Sequence, residues 1–422
     1  MSIKLKLLQA AAGGGGGQST WFLKENAADQ ISFITMVSTD SADNIYVTGA
    51  YGGGTYDQGL ALKIDSAGSV LLSKSFTASP GTGVEFYGIY PSITAGSVAL
   101  QGRMSDSTDP NSSYIAAFIQ LDIDTFATDW QDSKASTTAN NGQRAVIDSS
   151  GNLYFTTPNY NNPTRLQCFL KYNSSGVEQW SKEYATGLND VGVIGSDGTN
   201  IWGITRAGIN YTILHKFDSS GAAQWAKYIQ AGSQYNSYRM MQYMAIRPSD
   251  GYCMTQGVDA DNNSTLLNMF DSSGNLIWSK LYLGTDGNGN EPGGIWYDPD
   301  SDLWYNIYAS GSLKGVMAVD GTGAVSWANT YTMSAGSVGT RSSIAVNSTS
   351  VVLGTSEGIF STPKDGSFTD TLDIFTVASD TITVSNTGYS ASTYTGSWQN
   401  GTLNDATTTA VNNNLTTSFT LY

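Results

Sequence analysis

The stretch FLKYNSSGVEQWSKEY, Phe169 to Tyr184, reads as one complete hairpin. An apolar and aromatic strand runs into Asn-Ser-Ser-Gly, where Gly176 supplies the positive φ that the turn needs. Trp180, four places beyond the glycine, opens the return strand. The same pattern recurs in LHKFDSSGAAQWAKYI (Leu214 to Ile229), LNMFDSSGNLIWSKLY (Leu267 to Tyr282) and VMAVDGTGAVSWANTY (Val316 to Tyr331). Their glycines are Gly221, Gly274 and Gly323, and their tryptophans Trp225, Trp278 and Trp327. Weaker copies lie at Leu62 to Phe76 and Phe118 to Trp130. A tryptophan that returns at one place in successive units belongs to packing, so Trp130, Trp180, Trp225, Trp278 and Trp327 are expected between adjacent units. If fully buried, each is worth about 3–5 kcal/mol against alanine.

Between these hairpins lies another, as in STDSADNIYVTG (Ser38 to Gly49), VIDSSGNLYFTT (Val146 to Thr157) and GSDGTNIWGIT (Gly195 to Thr205). Two hairpins make a four-stranded unit. Its first turn is marked by Asp40, Thr94, Asp148, Asp197, Ser249, Asp300 and Asn347, seven units with a mean step of about 51 residues. A four-stranded repeat of that length is the blade of a β-propeller, so the sequence predicts an all-β, seven-bladed ring. The last unit turns at Asp365-Gly366 but has Asp370 where the tryptophan should stand. The absent strand is found at the other end: Trp21-Phe22-Leu23-Lys24 has its pattern, and Trp21 and Phe22 are expected to close the ring and remove two open edges.

Three segments follow: 1–17 as a docking arm with a glycine tether, 18–370 as the propeller, and 371–422 as a small β appendage rich in Ser, Thr and Asn. In the first, Ile3, Leu5 and Leu7 alternate with Lys4 and Lys6 ahead of Leu8, a period-two pattern able to add a strand to a neighbouring sheet. Gly13 to Gly17 then gives slack. The apolar run is too short for a secretory signal core, so the leader is expected to stay in place.

The chain has 422 residues, more than one ordinary core supports, and repetition resolves that size. A formal charge of −15 repels a nucleic-acid backbone and sets nucleic acid aside as a partner. No stretch approaches the ~20 apolar residues of a membrane span. Cys168 and Cys253 are the one pair that could form a disulfide, and read more plainly as buried free thiols in strands.

The single histidine, His215, lies in a blade's third strand where its counterparts are Leu170 and Asn268, a structural position; no Gly-x-Ser-x-Gly elbow accompanies it. The turns, Asp-x-x-Gly-x-x-x-Trp, differ from the tighter Asp-box of sialidases, and the arginines are scattered. Asp259-x-Asp261-x-Asn263 and Asp298-x-Asp300-x-Asp302 have calcium-loop spacing, but Ser264 and Leu303 replace the required glycine, and Phe270 and Ala309 the bidentate glutamate. Solvated acidic turns are expected there, with no cofactor assigned, although one structural Ca²⁺ is compatible with the spacing. The chain is expected to be no enzyme. Tyr235, Tyr238 and Arg239 sit in an aromatic-rich stretch and are the candidate ligand contacts, against inter-blade packing as the plainer role.

The blade pattern Asp-Ser-Ser-Gly-x-x-x-Trp-x-Lys with Asp-x-x-Gly-Asn-x-Tyr, from Trp21 to Gly366, resembles β-propeller repeats of bacterial secreted and surface proteins. The opening MSIKLKLLQAAAGGGGG resembles the leader of virion structural proteins of marine tailed bacteriophages. Together the resemblances imply a virion component, multicopy on the particle, docked through Ile3 to Leu8 on the tail or capsid. Other virion proteins, and a host-surface glycan or receptor, would be its partners. The alternative is a secreted or surface carbohydrate-binding propeller of a bacterium.

Overall fold

The computed structural model describes residues 21–25, 31–51, 58–79, 83–92, 94–105, 114–135, 145–148, 150–159, 166–184, 193–207, 211–230, 243–259, 264–284, 293–310, 313–333, 343–355, 358–367, 375–379, 383–386, 390–393, 398–400, 409–414 and 419–421. These form seven antiparallel sheets, and among the described residues there is no helix. The architecture is the seven-bladed β-propeller that the repeat predicts. The inner strands of blades 1 to 7 are Ile31–Thr39, Gly83–Ser92, Ala145–Ile147, Val193–Ser196, Tyr243–Arg247, Ile295–Asp298 and Ser343–Val346. Blade 4 continues outward through Ile201–Ala207, Tyr211–Phe217 and Ala223–Gln230.

The core is divided among the joints between blades. Phe118 and Ala99 of blade 2 meet Phe155 and Leu170 of blade 3, and Tyr154 and Phe169 of blade 3 meet Ile194 and Phe217 of blade 4. The remaining joints are built in the same way, giving seven apolar clusters for seven joints. The inner and middle strands carry apolar side chains on both faces, because a blade is covered by a neighbour on each side.

The hairpin around Gly176 shows how the sequence sets a turn. Asn173 donates its N–H to the Val177 carbonyl at 3.0 Å, and Gly176 donates to the Asn173 carbonyl at 3.0 Å. Gly176 has φ 79°, and the register slips between Lys171 and Tyr172. This is a turn closed by a glycine bulge. The bulge places Trp180 third in the return strand Glu178–Tyr184 rather than first. Gly221, Gly274 and Gly323 repeat the conformation, with φ of 79°, 75° and 79°.

The ring is closed by the strand nearest the N-terminus. Trp21–Glu25 is the fourth strand of blade 7 and pairs antiparallel with Ile359–Pro363, Trp21 opposite Ser361 and Phe22 opposite Phe360. Trp21 and Leu23 are buried in the joint with Ile34, Val47 and Leu62 of blade 1.

The C-terminal segment is β-structure, as its alternation predicts, and its strands are dealt out one to a blade. Phe375–Ser379 lies outside blade 6, Thr383–Asn386 outside blade 5, Ser390–Thr393 outside blade 4 and Trp398–Asn400 outside blade 3. Thr409–Asn414 then covers blade 1, and Phe419–Leu421 covers blade 7 outside the closing strand. The segment is thus a belt running backward around the ring. Blade 2 has four strands among the described residues. The sequence carries no sign of this arrangement, because belt strands are recruited by backbone hydrogen bonds to an existing edge rather than by an apolar face.

Candidate functional site

Each blade's first-to-second-strand and third-to-fourth-strand turns lie on one side of the ring, the turn face. Most of the connections on the opposite side, the loop face, fall outside the described residues, and so do Ile3 to Leu8, Tyr235, Tyr238 and Arg239.

On the turn face the aspartates organise their own turns. Asp148 accepts the N–H groups of Ser150 and Asn152, the Asn152 amide and the Tyr154 hydroxyl, the last at 3.1 Å. Asp40 does the same with Ala42, Asn44 and Tyr46. Hydrogen bonds to the ionised form lower a carboxyl pKa. Asp218 is held down chiefly by the Ser220 hydroxyl. At Asp320, burial works the other way and is outweighed by bonds from Thr322 and Ala324.

Every joint is then tied across this face. Trp21 of blade 7 donates its indole N–H to the Ser66 carbonyl of blade 1 at 3.1 Å, and Lys63 of blade 1 donates to the Ile123 carbonyl of blade 2 at 3.1 Å. Lys134 of blade 2 pairs with Glu178 of blade 3 at 3.0 Å. Lys171 and Trp180 of blade 3 both donate to the Ser219 carbonyl, at 2.9 and 3.2 Å. Lys216 reaches the Ser272 carbonyl at 3.3 Å, Lys280 the Thr322 carbonyl at 2.8 Å, and Asn329 of blade 6 the Gly366 carbonyl of blade 7 at 3.0 Å.

The repeated tryptophans lie against the next blade's turn glycine. A Cβ on Gly176 would stand 2.6 Å from the Trp130 ring, on Gly221 2.9 Å from Trp180, on Gly274 2.7 Å from Trp225, and on Gly366 2.5 Å from Trp327. Trp278 instead donates its indole N–H to the Gly321 carbonyl at 2.9 Å. All five tryptophans are half-buried rather than fully buried. The face of the ring that points outward stays in contact with solvent, which lowers the expected cost of truncation.

The acidic run Asp298-x-Asp300-x-Asp302 is engaged by cations of the chain. Lys364 of blade 7 contacts Asp298 at 2.9 Å, and Arg247 of blade 5 contacts Asp302 at 3.0 Å. The Arg247 guanidinium lies over Tyr252 and Trp304, 5.0 and 5.1 Å from the ring centres, and burial is outweighed there by Asp250 and Asp302, which keep it charged. Among the described residues no group of three His, Cys, Asp or Glu side chains could hold a metal ion. Asp259 ends its strand, and Asp261 and Asn263 lie outside the described residues.

His215 is fully buried, its Nε2 2.6 Å from the Thr205 hydroxyl, and burial pushes its pKa down to about 3. It is a neutral side chain inside a joint, packed near Phe169 and Phe217. Cys168 and Cys253 are buried free thiols, and burial raises that of Cys253.

One polar group escaped the sequence reading. Glu85, near the loop-face end of the inner strand of blade 2, takes Arg103 through Nε at 3.0 Å and Nη2 at 2.8 Å, and the Tyr87 hydroxyl donates to the same carboxylate oxygen. Only the register reveals it: Glu85 stands opposite Arg103 across a pair bulged between Phe86 and Gly88.

No protein-family model matches the sequence, and no curated protein matches it. Among solved structures the chain is similar to one described as the Dos1 propeller, with TM-score 0.50 and 8% identity over 84% of this chain and 96% of that one. A glucose dehydrogenase has TM-score 0.43 at 12% identity over 68% of this chain and 95% of its own. A luciferin-regenerating enzyme has TM-score 0.38 at 10% identity over 68% and 88%. At these identities likeness concerns the fold alone: the first supports the propeller, and none bears on activity.

Proposed function

We propose that this chain is a non-enzymatic structural and binding protein of a bacteriophage virion, held in several copies on the tail or capsid by Ile3 to Leu8. Its ring is displayed for contact with a host-surface glycan or receptor, or with other virion proteins. The observation that carries the reading is where the closing strand starts. Trp21 is bonded to the Ser66 turn, so the chain before it leaves from the turn face. The lysines and aspartates of that face are largely engaged in turns and joints, which suits a mounting side. In this reading the opposite face is the side left for contact, and loops on a rigid scaffold commonly serve recognition. The resemblance of residues 1–17 to phage leaders supplies the particle.

The test compares the full chain with a variant beginning at Gly17, by co-sedimentation with purified particles and mass measurement of the native protein. An intact or Met-trimmed leader, with particle binding lost on truncation, is expected. A mature chain beginning near Gly13 and indifferent to particles would overturn the reading in favour of the secreted carbohydrate-binding propeller. The Glu85, Tyr87 and Arg103 group supports that second reading with the hydroxyl, carboxylate and guanidinium chemistry that sugars engage.

A further inference from the structure

The closing strand Trp21–Glu25 is held on both sides. Ile359–Pro363 pairs with it on the inner side, and Phe419–Leu421 on the outer side, Leu23 opposite Leu421, Lys24 opposite Thr420 and Glu25 opposite Phe419. Both neighbours are antiparallel to it. Trp21 and Leu23 are each 3% exposed. In a ring closed by one strand alone, that strand would be an edge, free to peel outward one hydrogen bond at a time. Here the end of the belt covers it.

We propose that Phe419–Leu421 is a latch, which makes the closing strand a clamped anchor for the chain that precedes Trp21. Hydrogen bonds of antiparallel pairs lie perpendicular to the strands. A pull along Trp21–Glu25 from its N-terminal end therefore loads both ladders in shear, so their bonds must fail together. The buried Trp21 and Leu23 side chains must also leave the joint between blades 7 and 1. The latch does not stand alone: the same segment is laid on blades 6, 5, 4, 3 and 1 before it reaches blade 7. Each belt strand is short, yet the next contact is always intramolecular, so a released latch rebinds at high effective concentration. The consequence is directional: tension on the arm passes to the ring, and freeing the last belt strand uncouples the two. The inference rests on the proposed attachment only for the source of the pull.

Hydrogen exchange on the isolated protein tests it, comparing the full chain with a variant ending at Asn414, which keeps the belt on the other blades. Amides of Trp21–Glu25 should exchange about tenfold faster or more without the latch, while those of Tyr211–Phe217 in blade 4 stay as protected as before. Thr420→Pro combined with Leu421→Pro, which removes the N–H facing the closing strand whichever of these two adjacent residues supplies it, should shift the same amides in the same direction. A force measurement, pulling residue 2 against a cysteine placed at Gln58, at the loop-face end of the third strand of blade 1, should give a lower first rupture force in the variant. Unchanged protection of Trp21–Glu25 would overturn the proposal, and so would loss of protection throughout the ring, since the strand would then be a general structural element. No particle is present in these experiments, so their failure is distinct from failure of the co-sedimentation.

Discussion

The hairpins of the ring and the strands of the belt are both antiparallel β-structure, yet they form for different reasons. A ring hairpin such as Leu214 to Ile229 has its own turn, its own bulge and apolar faces that two neighbouring blades cover. Among the described residues a belt strand has no turn or bulge of its own. Ala378, Thr383, Val384 and Ser385 are exposed, and Thr383–Asn386 is held by pairing with Leu276–Leu283. The ring hairpins are specified from within, and the belt is specified by the edges it covers. Stability should therefore respond steeply to substitutions in the first and weakly to those in the second, whereas association should respond in the reverse order.

The most direct attempt to break this contrast is Gly176→Val. The substitution forces a β-branched residue into φ 79° and drives its Cβ to 2.6 Å from the Trp130 ring. Backbone strain and overpacking together should cost about 4 kcal/mol, read as a shift of the urea midpoint.

Acid sharpens the contrast next, because the ring hides a titratable group within a joint. His215 is neutral when folded, with a pKa pushed down to about 3 by burial. In the unfolded chain it binds a proton near pH 6.5, so the unfolded state gains protons first and stability falls as pH drops below that value. The loss runs at about 1.4 kcal/mol per pH unit and reaches roughly 2 kcal/mol at pH 5. The carboxyls held low by turn hydrogen bonds, Asp218 and Asp365 among them, add their own loss only below about pH 5, where they protonate in the unfolded chain, and leave the window above it to the histidine. His215→Asn should flatten stability between about pH 6.5 and 5 in denaturation curves. Asn268, which donates to Thr255 at 3.2 Å in the next blade, shows that the site accepts an amide.

These two positions also show how much could be read in advance. Gly176 was legible because a positive-φ residue and a tryptophan recur at fixed spacing, and the ring, its blade number and its closing strand follow from that repetition. His215 was legible as structural from its counterparts in other blades. The pairing of Glu85 with Arg103 was not, because a bulge decides the register. Nor was the path of the belt: Thr383 to Asn386 alternates like a strand wherever it lies, and only the three-dimensional edge says which blade it joins. Half-burial of the tryptophans was hidden for the same reason, since spacing names a neighbour but not how far the neighbour covers it.

That half-burial makes Trp225→Ala a smaller effect than a core truncation. Its ring meets Trp202 edge-on, with centres 5.0 Å apart, and roofs the Gly274 turn. Loss of this contact should cost about 1–2 kcal/mol, below the range for a fully buried tryptophan, and a value of 4 kcal/mol in a thermal or urea melt would mean that the outer contacts matter as much as the inner core. At the far end stands Val384→Ser in the belt. Val384 is 39% exposed, and its backbone pairing with Tyr282 does not depend on the side chain. The change should leave the melting curve within about 0.5 kcal/mol. Removing the belt from Phe375 onward should instead expose the outer strands of six blades, and unpaired edges recruit other chains. Light scattering should then rise with protein concentration while blade 4 retains its hydrogen-exchange protection. If Val384→Ser destabilised the ring as Gly176→Val does, the belt would be part of the cooperative core, and the distinction between strands specified from within and strands specified by an edge would fail.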